Sequence, residues 1–349
     1  MRSLFLTAAG FALAALLYSQ YSTDMSPAPA QHQRTQLALF GTPIEHSLSP
    51  LFHNTVYETL SLPHRYDLHE SASFPPPADL SFLRSPSFCG AAVTMPHKVA
   101  ALSTMDVLAP EVDEVGSMNT VVVQEDGRLL GRNTDTEGIR MALLSTLGEE
   151  ERRREAPFGE GRSAIIIGGG GTTRAAIYAL SSLRLSPLYL INRDASETAS
   201  IIATPAFAKY DLRALDDAAL ASWTEEDFGK VACGVGAIPS FEPQTEGEKM
   251  VYRVAEGVFE RSGKMEGRRP LMEMAYKPHI TLMYKLAQSH GWHPIGGIEA
   301  LIHQAAAQDR YWLLDSPATR IEGLTAQELE RAVQVAAAKV REAAGAPGV

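Results

Sequence analysis

Two groups of residues in this chain of 349 residues have types and spacing suited to chemistry. The first is a glycine run, Gly168-Gly169-Gly170-Gly171, set between an apolar stretch and a helical one. Glycines at such a junction let the backbone approach a pyrophosphate, and the N–H groups and dipole of the helix N-terminus stabilise its charge. Gly168, Gly170 and Gly171 are assigned to that task, with Thr172 in the turn that follows. Thr173 stands where the G-x-G-x-x-G pattern has its third glycine, so the run alone also suits a plain strand-to-helix turn. About twenty residues on, Asn192-Arg193-Asp194 ends the next apolar stretch, where the ribose of a bound dinucleotide is read. Arg193 would pair with a 2′-phosphate or stack on adenine, while Asp194 would accept from ribose hydroxyls and repel that phosphate. The two point in opposite directions and leave NAD and NADP both open.

The second group is polar and sits earlier in the chain: Ser47-Leu48-Ser49, Thr94-Met95-Pro96-His97-Lys98, Asn119-Thr120, and Asn133-Thr134-Asp135. Taken singly, each has a structural use, as helix-capping serines, a solvated lysine, turn-forming asparagines or a capping aspartate.

The elements that must hold these residues alternate between strand and helix, as in α/β domains. Gln36 to Phe40 reads as a strand, and Leu51 to Leu60 as a helix entered through Ser49-Pro50. After a loop with three prolines at 75–77 come an apolar strand over Cys89 to Met95 and a helical stretch from His97. Thr120 to Leu130 reads as two strands around an Asp126-Gly127 turn. The charged segment Glu149 to Arg162 breaks the pattern and marks a boundary. Beyond it Ala164 to Ile167, the glycine run, a helix over Thr172 to Leu183 and a strand over Leu188 to Ile191 make a βαβ unit. Strands at Val231 to Val235 and Leu271 to Ala275 extend a parallel sheet, and after Thr281 the chain reads as mostly helical, ending in an Ala-rich helix over Ala332 to Ala344.

Composition bounds the rest. Hydrophobic residues at 45% and charged residues at 21% fit a globular body of two domains and not a multi-span membrane protein. With 31 Lys+Arg against 41 Asp+Glu the net charge is -10, which disfavours nucleic acid as a partner. Cys89 and Cys233 are far apart and read as free thiols of a reducing compartment, so the expected location is cytoplasmic. Against this, the uncharged stretch Leu4 to Leu17 resembles the core of a secretory signal, although Ala28-Pro29-Ala30 is a poor cleavage site. Met25, which opens a polar segment leading into the first strand, is the working start. His46, His53, His97, His279, His293 and His303 show no ligand spacing, so no metal is expected.

Taken together and in order, the motifs resemble the shikimate/quinate dehydrogenase family over roughly Phe40 to Trp312. The matching stretches are Ser47-Leu48-Ser49-Pro50 with His53-Asn54, Val93-Thr94-Met95-Pro96-His97-Lys98, Gly116-Ser117-Met118-Asn119-Thr120 and Gly131-Arg132-Asn133-Thr134-Asp135. Later come the glycine run with Arg174-Ala175, Asn192-Arg193, Tyr276-Lys277-Pro278, and Gln304. In detail they look most like the stand-alone fungal quinate dehydrogenases, which implies a preference for NAD. The resemblance implies an N-terminal α/β substrate domain plus a Rossmann-type dinucleotide-binding domain, with the cleft between them. The expected division is a leading segment and linker over 1–34, the substrate-binding and catalytic domain over 35–148, a linker over 149–162, the Rossmann domain over 163–290, and C-terminal helices over 291–349 that return to the first domain. It further implies that Ser47 and Ser49 hold a substrate carboxylate, that Thr94, Asn119, Tyr276 and Gln304 contact ring hydroxyls and the carboxylate, and that Lys98 and Asp135 flank the hydroxyl being oxidised. Hydride leaves a carbinol carbon only as the hydroxyl proton is taken up, so a positioned acid/base group is required.

Three positions depart from the family pattern. Ala92 stands where the family has asparagine, which bears on substrate identity; Glu273 stands where it has aspartate; and Glu197 lies near the place of a basic residue, which weakens the NADP reading. The expected partner is a small molecule, quinate or shikimate, with no nucleic acid or membrane for the folded body and a monomer or homodimer as the assembly. The competing readings are an NADP-dependent biosynthetic shikimate dehydrogenase and a non-catalytic sensor of a pathway metabolite.

Overall fold

A computed structural model of the chain describes residues 34–74, 79–147 and 158–345. The apolar leading segment, the proline triplet at 75–77 and most of the charged linker lie outside these residues.

Short, uninterrupted apolar runs form the central strands of two six-stranded sheets. The first contains β1 (Gln36–Gly41), β2 (Arg65–Glu70), β3 (Phe88–Val93), β4 (Val107–Leu108), β5 (Thr120–Val123) and β6 (Leu129–Arg132), in the order β2-β1-β3-β5-β6-β4. β1 runs parallel to β2 and β3, and β5 and β6 form the expected antiparallel hairpin, with Gly127 at a positive φ of 79° in its turn. The stretch after His97, expected as a helix, is a turn and a short 3₁₀ helix, Ala100–Thr104. Tertiary bonding accounts for this: the Lys98 carbonyl accepts the Met118 N–H at 2.9 Å and so ties the segment to the chain before β5.

The second sheet contains β7 (Ser163–Ile167), β8 (Leu188–Ile191), β9 (Leu212–Ala214), β10 (Val231–Gly236), β11 (Pro270–Glu273) and β12 (His293–Ile295). All its ladders are parallel, in the order β12-β11-β10-β7-β8-β9. That is the doubly wound Rossmann order, with the reversal between β7 and β10. Alternation along β7 divides the core. Ala164 and Ile166 face the helix Gly171–Ser182, whereas Ile165 and Ile167 pack with Val251, Val254 and Val258 of the helix Glu246–Ser262. The strand β12 lies where the sequence read as helix; it has only three residues, one of them Pro294, and pairs along one edge, too short for a period to register.

Past β12 the chain crosses back. The helix Gly297–Arg310 packs on the helix Asp135–Ser145, and the helix Ala326–Ala344 on the helix Ser49–Thr59. Ile298, Ile302, Trp312, Leu329 and Val340 thereby share one buried cluster with Leu37, Phe52 and Val56. The first of these crossings is close: a Cβ on Gly138 would lie 2.8 Å from the Ala300 carbonyl oxygen, so only glycine fits there. Arg341 holds the last helix down through a bidentate pair with Glu299, both contacts 2.7 Å. Among the described residues no helix is long and apolar enough to cross a membrane.

Candidate active site

β1 and β3 end side by side, and the loops leaving them carry Pro43 to Ser49 and Thr94 to Lys98. Residues after β11 and the helix Gly297–Arg310 close the opposite side of a cavity of about 370 Å³. Ser47, Ser49, Thr94, Lys98, Asn119, Asp135, Tyr276 and Gln304, all expected around a substrate from the sequence, line this one cavity.

Its polar centre is Lys98 with Asp135, Nζ to Oδ2 at 2.5 Å, with side chains 30% and 16% exposed. Asp135 opens the helix Asp135–Ser145, where a carboxylate is favoured by the helix dipole. Its other oxygen, Oδ1, accepts from Asn119 Nδ2 at 3.0 Å. Asn119 is fixed from behind: Oδ1 accepts the Thr134 N–H at 2.7 Å and the Thr120 hydroxyl at 2.8 Å, and Nδ2 also reaches Gln304 Oε1 at 3.3 Å. The outer wall is Ser47 and Ser49, with Ser47 Oγ accepting the Ser49 N–H at 3.2 Å. The arrangement can move a proton at one point and offer hydroxyls, amides and an ammonium to a small polyhydroxylated ligand.

Sequence reasoning missed Gln308. It lies one turn after Gln304 on the same helix face, lines the cavity, and donates to Thr120 Oγ1 at 3.0 Å, while its Oε1 is buried with no partner. An apolar Ala305-Ala306-Ala307 spacer between the two glutamines was the available signal.

A second cavity of about 320 Å³ opens beyond β7, β8 and β10. Of the residues expected to meet a nucleotide, Gly168, Gly170, Asn192 and Arg193 line it, whereas Gly171, Thr172 and Asp194 do not. Gly168, at φ 131°, passes the Ala237 carbonyl so closely that a Cβ would sit 2.9 Å from that oxygen. Asp194 also caps the helix Ala195–Ile202, its Oδ1 accepting the Ser196 N–H at 2.8 Å and the Glu197 N–H at 3.2 Å, as an aspartate just before a helix does. Asn192 is likewise engaged, donating to Glu197 Oε2 at 2.9 Å. Gly169, Glu197, Ala237, Glu248 and Tyr252 also line the cavity and were not foreseen. The pocket suits a dinucleotide: Gly170 and Gly171 face open space, where a Cβ would meet nothing, and the helix Gly171–Ser182 has no side-chain cap at its N-terminus.

Three of the histidines are engaged away from both cavities. His53 pairs with Asp309 at 2.9 Å in the core, His97 bonds the Ser71 carbonyl, and His293 meets Arg268. Burial pushes both cysteine thiols up to about 12, which makes them poor nucleophiles.

Two parallel-rich sheets, one bordering a polar cavity with a Lys–Asp pair and the other a cavity at a glycine turn, define a mixed α/β fold whose second sheet is Rossmann-like. Comparison with known proteins narrows this. Residues 39–121 match the family model of the shikimate dehydrogenase substrate binding domain. Among solved structures, the dehydroquinate dehydratase and shikimate dehydrogenase from S. pombe is 29% identical with a TM-score of 0.67, over 86% of this chain and 52% of that one, so this chain spans about half of that protein. The shikimate 5-dehydrogenase of Mycobacterium fortuitum is 26% identical with a TM-score of 0.66, over 86% and 97% of the two chains. That of Thermus thermophilus, in complex with NADP(H) and shikimate, is 26% identical with a TM-score of 0.62, over 86% and 99%. These similarities agree with the resemblance carried by the motifs: residues 39–121 match the substrate binding domain of shikimate dehydrogenases, and the fold is similar to that of the solved shikimate dehydrogenases.

Proposed function

We propose that the protein is an NAD-dependent dehydrogenase that oxidises the ring hydroxyl of quinate or shikimate, to 3-dehydroquinate or 3-dehydroshikimate, in the cytoplasm. In this reading residues 35–148 and the returning C-terminal helices bind the substrate and residues 163–290 bind the nucleotide. The observation that carries it is the Lys98–Asp135 pair at 2.5 Å inside a cavity that also presents the side chains of Ser47, Ser49, Thr94, Asn119 and Gln304.

Ser47 and Ser49 would receive the substrate carboxylate at the outer wall. Thr94, Asn119, Tyr276 and Gln304 would take the ring hydroxyls and complete the grip on the carboxylate. Lys98 would hold the reacting hydroxyl and take its proton during oxidation, returning it during reduction. Asp135 would fix the lysine and accept from a neighbouring hydroxyl. Gly168, Gly170, Gly171 and Thr172 would hold the pyrophosphate of a nicotinamide dinucleotide and Asn192 and Arg193 its adenosine end, and the bound dinucleotide would supply hydride acceptance. Asp194 and Glu197 close to the ribose end support NAD; exposed Arg193 is the one observation that favours NADP.

The test is steady-state turnover of quinate and of shikimate with NAD and with NADP, followed by reduced-nicotinamide absorbance, with Lys98→Ala as control. Quinate oxidation with NAD, reduced about 100-fold or more in the variant, is the expected result. A preference for shikimate with NADP would make the protein a biosynthetic enzyme. No turnover in any combination, with quinate still raising the melting temperature, would leave a metabolite sensor.

A further inference from the structure

We infer that Glu248 selects the nucleotide, by holding Arg193 and by placing its own charge where a 2′-phosphate would enter. This rests on reading the 320 Å³ cavity as the nicotinamide-nucleotide site.

Glu248 comes from a different part of the chain, the first turn of the helix Glu246–Ser262, and meets the end of β8 across the cavity. Its Oε1 accepts Arg193 Nη1 at 2.7 Å. Its Oε2 accepts the Gln244 N–H at 2.9 Å and the Thr245 N–H at 3.0 Å, and Thr245 Oγ1 accepts the Glu248 N–H at 3.2 Å. The carboxylate is therefore clamped by a reciprocal capping box, and its side chain is 13% exposed against 59% for Arg193. The helix end lies directly on the arginine backbone, since a Cβ on Gly247 would lie 2.6 Å from the Arg193 carbonyl oxygen. Those N–H bonds, with Arg193, hold the carboxyl at about 2, so it is ionised throughout the physiological range.

The guanidinium is the obvious partner for a 2′-phosphate, but it is already engaged by Glu248. Glu197 also lines the cavity, so its rim carries two carboxylates against one arginine. A phosphate of charge near -2 would meet a rim that is negative before it arrives, and Arg193 could serve it only by leaving Glu248. Ribose hydroxyls face no such conflict, because they can donate to a carboxylate. An exposed ion pair adds little to stability, so the pair is better suited to exclusion of the wrong ligand than to holding the fold.

Calorimetric titration with ADP-ribose and with its 2′-phosphate tests this without turnover. The wild type is expected to favour ADP-ribose. Glu248→Gln keeps the acceptor that caps the helix but not the charge, and should move the ratio of the two affinities about tenfold toward the phosphorylated ligand; removing Arg193 as well should cancel that gain. A ratio unchanged in Glu248→Gln at wild-type melting temperature overturns the inference. Should that variant not fold, Arg193→Ala decides: a wild-type ratio supports an arginine withheld from phosphate, and a selective loss of the phosphorylated ligand overturns it. A wild type that binds neither ligand refutes the nucleotide reading itself, an outcome distinct from binding without selection by Glu248.

Discussion

Replacing Glu273 with glutamine probes an ionisable group in the middle of the second sheet. The side chain leaves the end of β11, is 1% exposed, and lies against Gly236, where an added Cβ would be 2.8 Å from its Oε2. Oε1 accepts the Ala275 N–H at 3.2 Å, and Oε2 has no partner. Burial pushes the carboxyl up to about 8 from an ordinary value near 4.5, against the weaker opposing pulls of the Ala275 N–H and the Thr281 hydroxyl. The folded protein therefore keeps this proton through neutral pH, whereas the unfolded chain releases it above about pH 4.5. More protons are bound in the folded state across that window, so stability falls as pH rises from about 4.5 and levels off above about 8. At ~1.4 kcal/mol per pH unit the whole loss is about 5 kcal/mol, of which roughly 3.5 kcal/mol falls between pH 5 and pH 8. Glutamine has nothing to ionise. Urea unfolding of wild type and Glu273→Gln across that range should show the free-energy difference moving in the variant's favour by about 3 kcal/mol from the acid to the alkaline end. A constant penalty from the unpaired amide N–H cancels in this comparison. Parallel pH profiles for the two proteins would refute the reasoning, because the carboxyl would then ionise at its ordinary value.

Other perturbations follow from contacts already described. Asp135→Asn keeps the shape of the side chain but removes the charge that fixes Lys98, and turnover should fall about 100-fold; an unchanged kcat would remove Asp135 from the proton-transfer machinery. Asp309→Ala strips His53 Nδ1 and the Tyr57 hydroxyl of their shared acceptor in a fully buried site and should lower unfolding free energy by about 2–4 kcal/mol in urea. Gly169→Ala would place a Cβ 2.2 Å from Glu197 Oε2 and 2.3 Å from Asn192 Nδ2, forcing their hydrogen bond apart; ADP-ribose affinity measured by calorimetry should drop about tenfold, and wild-type affinity would show that this clamp does not shape the pocket.

What was legible in the sequence is what local pattern encodes. The strands β7 and β8 and the glycine turn between them could be read because buried parallel strands are unbroken apolar runs. The Asp126-Gly127 hairpin could be read from its turn residues. The substrate cavity was legible through motif order alone, since nothing local says that Ser47 and Tyr276 line one cavity. Elements stabilised by distant partners were not readable: the turn before Ala100–Thr104 is tied down where the Lys98 carbonyl accepts the Met118 N–H, and β12 pairs along the edge that β11 offers. Glu248 escaped for a topological reason. The order of the second sheet reverses beside β7, which brings the helix after β10 back to the end of β8, and sequence separation carries no trace of that meeting. The cap at Asp194 went unread because a ribose acceptor and a helix cap call for the same residue at the same place.

The return of the last helices to the first sheet sets an order on synthesis. The six strands of the second sheet, from Ser163 to Ile295, are contiguous in the chain. The core under the first sheet is split: Leu37, Phe52 and Val56 precede that stretch, and their partners Trp312, Leu329 and Val340 follow it. Nascent domains generally fold as units in the order they emerge, but here the later unit is complete first. The earlier one waits with its helix Ser49–Thr59 uncovered until the helix Ala326–Ala344 has been made.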